Sequence, residues 1–241
     1  MTQRRPAIRI VAMPRRLRLA TGGYVFHVLN RAAARTTLFE HADDYLAFER
    51  ILREANDWLP TRLLAFCLMS NHWHLVLWPF KDGDLSEWMR WVTVTHTQRW
   101  HAKHQTRGTG PLYQGRFKSF PVQENEHFFT LCRYVERNAL RARLVRQAQN
   151  WRWSSLWHGN HADSDMVLAD WPLPRPRDWT ALVNEAQTEL ELKALRQAVV
   201  RGRPFGEERW VARTARRLGL ESALRPRGRP KKKRPARKAR K

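Results

Sequence analysis

An apolar run broken by one tight turn constrains this chain more than any other stretch. It reads Leu64-Ala65-Phe66-Cys67-Leu68-Met69, then Ser70-Asn71, then His72-Trp73-His74-Leu75-Val76-Leu77-Trp78 before Pro79. Two β-forming segments around a Ser-Asn pair predict a hairpin over Leu63–Trp78. Side chains alternate along a strand, so His72, His74 and Val76 share one face, while Trp73, Leu75 and Leu77 share the other, apolar face. Two imidazoles side by side on a sheet surface form a bidentate metal claw. The plainer alternative is a pair of histidines on a solvated sheet face.

The segments around the hairpin extend the pattern. Tyr24–Leu29 reads as a strand after the Gly22-Gly23 breaker. Asp43–Trp58 has helical spacing through Tyr45, Phe48, Ile51, Leu52 and Ala55. Leu85 to about His104 is a second helix, with Ser86 or Asp84 as its cap. Gly115–Gln123 alternates as a fourth strand, and Asn125–Arg143 is a third helix. The order β-α-β-β-α-β-α predicts an α+β domain, an antiparallel sheet with helices packed on it.

The chain carries a net charge of +23, which calls for a polyanionic partner. Arg225–Lys241 holds 11 Lys or Arg and no acid, which leaves +12 for the rest. The body is therefore basic too. With 42% hydrophobic residues the chain can build a core. Cys67 and Cys132 lie in apolar segments without Cys-x-x-Cys spacing, which predicts buried free thiols in a reducing cytosol. The basic start, Met1–Leu19, has no apolar stretch and does not read as a signal peptide. No apolar run is long enough to span a membrane.

On the third helix Phe128, Leu131, Cys132, Val135 and Ala139 form the buried stripe. Tyr134 and Asn138, spaced i, i+4, flank it together with His127 and Arg141. Here the sequence resembles a known family, the single-tyrosine HUH (His-hydrophobic-His) transposases of the IS200-like type, and within them the REP-associated tyrosine transposases. The resemblance rests on Met69-Ser70-Asn71-His72-Trp73-His74, Tyr113-Gln114-Gly115-Arg116-Phe117, Arg133-Tyr134-Val135-Glu136-Arg137-Asn138 and Arg201-Gly202-Arg203-Pro204-Phe205-Gly206, in that order between about Gly22 and Leu220. It implies a ferredoxin-like HUH core and a metal-dependent nicking and strand-transfer activity on single-stranded or hairpin DNA. It assigns the nucleophile role to Tyr134, forming a 5′-phosphotyrosine, and the Mg²⁺ or Mn²⁺ ligand role to His72, His74 and Asn138. A phenol with a pKa of about 10 needs activation at neutral pH, and the sequence names no base. Tyr113, in a Gly/Pro-bounded loop, ranks below Tyr134 as a stacking or packing residue. The family's Asn-Pro-x-Arg-Ala-Gly is here Asn138-Ala139-Leu140-Arg141-Ala142-Arg143. Losing the proline should let the helix run on, and an arginine stands where a turn glycine is expected.

These readings divide the chain into a basic arm (1–18), the HUH core (19–158), a linker with little regular structure (159–179), a helical region (180–224) and a basic tail (225–241). Thr180–Val200 reads as one helix and Glu207–Leu218 as another, which make either a helix-turn-helix or a plain helical hairpin packed on the core. The Pro-Arg-Gly-Arg-Pro centre of the tail matches an AT-hook, whose arginines enter a narrow minor groove. Expected DNA contacts are Arg116, Arg141, Arg203, Arg227, Arg229 and Lys231. The expected state is a cytoplasmic, nucleoid-associated monomer or homodimer. Two alternatives stand beside the enzyme: a non-catalytic DNA-binding protein on an HUH scaffold, and a ribosome- or RNA-associated basic protein.

Overall fold

The computed structural model describes residues 21–166 and 168–225. The basic arm and the AT-hook-like Arg227, Arg229 and Lys231 lie outside the described residues. Four antiparallel strands form one sheet: β1 (Val25–Arg31), β2 (Arg62–Met69), β3 (His72–Trp78) and β4 (Lys118–Val122), in the order β2-β3-β1-β4. Helix α1 (Ala42–Trp58) joins β1 to β2, and α2 (Asp84–Lys103) joins β3 to β4. This βαββαβ order with β1 and β3 central is the ferredoxin-like arrangement, so the α+β expectation holds.

Alternation along β3 divides the core. Trp73, Leu75 and Leu77 pack with Phe26, Val28 and Phe66 under α1 and α2, where Phe48, Ile51, Leu52, Trp88 and Met89 fill the layer. Each such side chain contributes about 1.5–3 kcal/mol by leaving water. The start of α1 is fixed by Asp44, whose carboxylate accepts from the Glu40 and His41 amides at 2.9 and 3.0 Å and from Lys103 Nζ at 2.6 Å. Leu59, extended before Pro60, ends it. At α2 the expected cap is replaced. Gly83, at φ +95°, precedes the helix without a side-chain cap, and Asp84 instead accepts from the Lys81 amide.

The histidine face is also covered, which the hairpin alone did not suggest. Val25, Ala65, Cys67, Val76 and Phe120 pack against Phe128, Leu131, Cys132 and Val135 of α3 (Glu126–Glu136). Asn125 caps α3 through the His127 amide. The expected single helix to Arg143 is interrupted at Arg137, where ψ is −1° and the guanidinium binds the Glu185 carbonyl at 2.8 Å. It resumes as α4 (Asn138–Arg141). It then stops where the missing glycine would have stood, with Arg143 itself left-handed at φ +60°. Both cysteines are buried free thiols.

The C-terminal part closes the sheet edges, which would otherwise expose unpaired backbone. Along β2, the Leu68 amide donates to the Trp153 carbonyl and the Ala169 amide to Leu63. The Trp151 and Trp171 indoles donate to Leu68 and Leu64. Much of 159–179 is irregular but held against the core, after the short α5 (Ser155–Gly159). The expected helix over Thr180–Val200 is two, α6 (Trp179–Asn184) and α7 (Glu189–Arg201), because Thr188 and Glu191 form a capping box that starts a new helix. Helix α7 packs on α3 and β4. Left-handed Gly202 ends it, and Phe205 then pairs with Pro121 and Gln123 at the β4 edge. Helices α8 (Glu208–Arg217) and α9 (Glu221–Leu224) follow. Among the described residues no helix is long and apolar enough to cross a membrane.

Candidate active site

The end of β1, the start of β3 and the α3–α4 junction meet around a cavity of about 620 Å³. His72, His74, Tyr134, Asn138, Arg116 and Arg141, all singled out in the sequence, line it together. They come from distant segments, joined by strand register: His74 sits between Leu29 and Cys67, and His72 between Arg31 and Met69.

The two imidazoles are held from behind. His72 Nδ1 faces Asn71 Oδ1 at 2.7 Å, so the ring donates there and its Nε2 is left with a lone pair. His74 Nδ1 lies 2.9 Å from Nε2 of His27, whose ring stacks on it at 5.0 Å. Burial keeps all three rings neutral. His27 is pushed down to about 3, His72 to about 4 with help from Arg31 and Arg141, and His74 well below its ordinary value. Neutral imidazole is the form that ligates a metal. Among the described residues no group of three or more His, Cys, Asp or Glu is placed to hold a metal ion. An Asn138 oxygen would therefore have to complete the donor set. That oxygen accepts from Arg141 at 2.9 Å and keeps a second lone pair, while the Asn138 amide nitrogen is buried without a partner among the described residues. The residues fit a divalent ion bound by two nitrogens and one oxygen.

Tyr134 stands with its ring 5.8 Å from that of His74 and Arg141 stacked over it at 4.1 Å. Its hydroxyl makes no hydrogen bond to a described residue. Tyr113 is the opposite case. Its hydroxyl accepts from Trp73 Nε1 at 3.1 Å, reaches His96 Nδ1 at 2.6 Å, and is pushed above the ordinary tyrosine range by burial. Its role is packing, and its loop serves the cavity. Pairing of Gln114 with Arg31 and of Asn30 with Gly115 staples Tyr113–Arg116 to the end of β1, which brings Gln114 and Arg116 into the lining. Arg203 lies beyond the Gly202 turn, outside the lining. His127 turns away to Phe205, 5.0 Å between rings.

The sequence reading missed His27, Arg31 and Lys118. His27 and Arg31 share the alternating face of β1 with Leu29, so a polar pair inside an apolar strand was the available signal. Lys118 opens β4 at the pairing position of Leu29.

The family model for IS200-like transposases matches residues 21–138, from the turn before β1 to Asn138. The chain belongs to the IS200-like transposase family. The matched span ends at the last residue of the proposed ligand set, so the cavity of this transposase is built almost wholly from the family's own segment. Solved structures similar to the transposase include a REP-associated tyrosine transposase bound to a REP hairpin, with 16% identity, a TM-score of 0.49, and coverage of 66% of this chain and 95% of that one. A structure from Deinococcus radiodurans described as that of a "putative transposase" also has 16% identity, with a TM-score of 0.38 and coverage of 51% and 95%. Comparison with curated proteins gives no significant match.

Proposed function

We propose that the protein is a REP-associated type of tyrosine transposase that nicks and rejoins single-stranded or hairpin DNA through Tyr134. The observation that carries this reading is one cationic cavity in which a neutral histidine pair, an accessible tyrosine and an amide oxygen converge without a carboxylate in the lining. Arg31, Arg116 and Lys118 suit phosphate oxygens. Arg141, stacked over the Tyr134 ring, places a further positive charge beside the reacting groups. The Tyr134 oxygen bonds to phosphorus and the bond to the 3′-oxygen breaks, releasing a 3′-hydroxyl and leaving a 5′-phosphotyrosine. A second 3′-hydroxyl reverses the step without ATP, because the phosphotyrosine retains the phosphodiester's bond energy.

His72 Nε2, His74 Nε2 and Asn138 Oδ1 would hold Mg²⁺ or Mn²⁺, which when bound polarises the scissile phosphate. In the tautomer that leaves His74 Nε2 free, His74 donates from Nδ1 to His27, so His27 orients the ligand as outer partners of metal-bound histidines do. The tyrosine and histidines converge within one chain, so a monomer suffices for a complete site. The test is incubation with pooled hairpins from the source genome and Mn²⁺, followed by a denaturing gel. A covalent adduct mapping to Tyr134 is expected. An adduct on another residue, or adduct formation in excess chelator, would overturn the assignment. No adduct over many hairpins would favour the non-catalytic DNA-binding alternative.

A further inference from the structure

Helix α8 carries Arg209, Arg213 and Arg216 at i, i+4 and i+7, so the three stand on one face. All are exposed, while Val211, Thr214 and Ala215 turn the opposite face into the protein. None of the three pairs with an acid among the described residues. The acid of the helix, Glu208, sits in the first turn off this stripe, where it complements the helix dipole. Stacked like charges one turn apart weaken a helix, so the stripe does not serve the stability of α8. The contrast with α7 is direct, since Glu189 there pairs with Arg196.

The position of the stripe is fixed. Trp210 packs edge-on against Tyr24, 6.4 Å between ring centres, and the Glu207 amide donates to Gln123 Oε1 at 2.8 Å. Tyr24 leads into the first residue of β1, whereas the cavity is lined by its last, Leu29, Asn30 and Arg31. The length of β1, about 20 Å at ~3.3 Å per residue, therefore separates α8 from the cavity. A duplex rises ~3.4 Å per base pair, so roughly 6 base pairs span that length.

We infer that the arginine stripe of α8 is a docking surface for the phosphate backbone of a duplex DNA stem whose foot lies in the Tyr134 cavity. The occupant follows from charge and spacing: three unpaired guanidiniums within about 10 Å suit successive phosphates, and guanidinium binds phosphate in a bidentate fork. This rests on the hairpin reading of the cavity and adds a remote contact that depends on stem length.

The test measures anisotropy of labelled hairpins with one foot and loop sequence and stems of 4 or 12 base pairs. It uses the full chain and its Arg209→Gln/Arg213→Gln/Arg216→Gln variant over a salt series. The variant should lose 10-fold or more in affinity for the long stem at low salt. Its log-log salt slope should flatten by about 3, the counterions of three phosphate contacts. Affinity for the short stem should stay within about twofold, and circular dichroism should show an unchanged fold. Arg→Lys at the three positions should restore most of the long-stem binding. Equal loss on both stems, no loss on either, or loss of binding to anionic vesicles without any stem effect would overturn the proposal. Failure of the cavity reading is distinct, because it shows as a missing Tyr134 adduct whatever the stem length.

Discussion

On one side of β3 the indole of Trp73 holds the Tyr113 hydroxyl, which also meets His96, and the ring is 8% exposed. On the other side His74 is gripped by His27, and the nearby Tyr134 hydroxyl makes no hydrogen bond to a described residue. Both faces hold tyrosine and histidine in apolar surroundings, and burial keeps the histidines of both neutral. They differ in what remains unsatisfied. On the α1–α2 face every polar atom of the Tyr113 network has a partner except His96's far side, so the network is structure. On the α3 face the histidine nitrogens, the Asn138 amide and the Tyr134 oxygen keep hydrogen-bonding capacity directed at or near a cavity. Residue type alone does not separate a packing tyrosine from a candidate nucleophile; unspent hydrogen-bonding capacity next to accessible space does.

The largest expected effect breaks this comparison if it fails. Tyr134→Phe should abolish the covalent adduct, at least 1,000-fold in nicking rate, with little change in melting temperature. Tyr113→Phe should keep the adduct yet lose about 1–3 kcal/mol of stability, because Trp73 Nε1 and His96 are left unpaired inside the protein. Adduct formation paired with stability in the reverse order would end the distinction drawn between the two faces.

His27→Leu tests whether the back of the cavity is functional or merely packed. It removes a buried histidine whose Nδ1 has no partner among the described residues but leaves the buried His74 Nδ1 unpaired, so stability should fall by about 1–3 kcal/mol at most. Mn²⁺ affinity, read by calorimetry, should fall 10–100-fold as His74 loses its orienting partner. Unchanged metal affinity would make His27 a packing residue.

Asp44 belongs to the structural face. Its backbone amide bonds and Lys103 hold its carboxyl at about 2, below the ordinary 3.8, against the opposing effect of burial. The folded state therefore favours the ionised form. The stabilisation is complete above pH ~4 and is lost as pH falls through ~4 to ~2. Asp44→Asn should cost about 2 kcal/mol at neutral pH and flatten that acid limb in urea unfolding followed across pH. The same substitution should leave adduct formation on a saturating hairpin unaltered.

The smallest effect sits at the exit of the histidine face. Arg143 holds φ +60°, which an L-residue adopts at a cost of about 1–2 kcal/mol. Arg143→Gly should raise stability by about 1 kcal/mol in chemical denaturation, with the adduct yield unchanged. A drop in adduct yield would give the arginine a role at the cavity.

Several features were readable because they obey local rules. The Ser70-Asn71 hairpin, the stripes of α1 and α3, and the order of strands and helices follow from period and turn chemistry. The His-x-His pair and the Tyr134–Asn138 spacing follow from the same alternation and helical repeat. Breaks were less legible. The α3–α4 interruption rests on Arg137 reaching the Glu185 carbonyl, 48 residues away in sequence. The Thr188 capping box that splits α6 from α7 was a local signal that the apolar periodicity of Thr180–Val200 concealed.

What the sequence determined by itself was the set of parts: an α+β chain with a histidine claw, one tyrosine a turn from an asparagine, and a basic surface. Tertiary structure alone decided which parts meet. Strand register brought His27 behind His74 across 47 residues and Arg31 beside His72. The Tyr113 loop, paired to the end of β1, carried Arg116 and Gln114 to the cavity. Burial, which depends on the covering of both sheet faces, made the histidines neutral and closed one tyrosine while leaving the other open. Register, burial and desolvation are properties of non-local contacts, so no window of sequence could contain them.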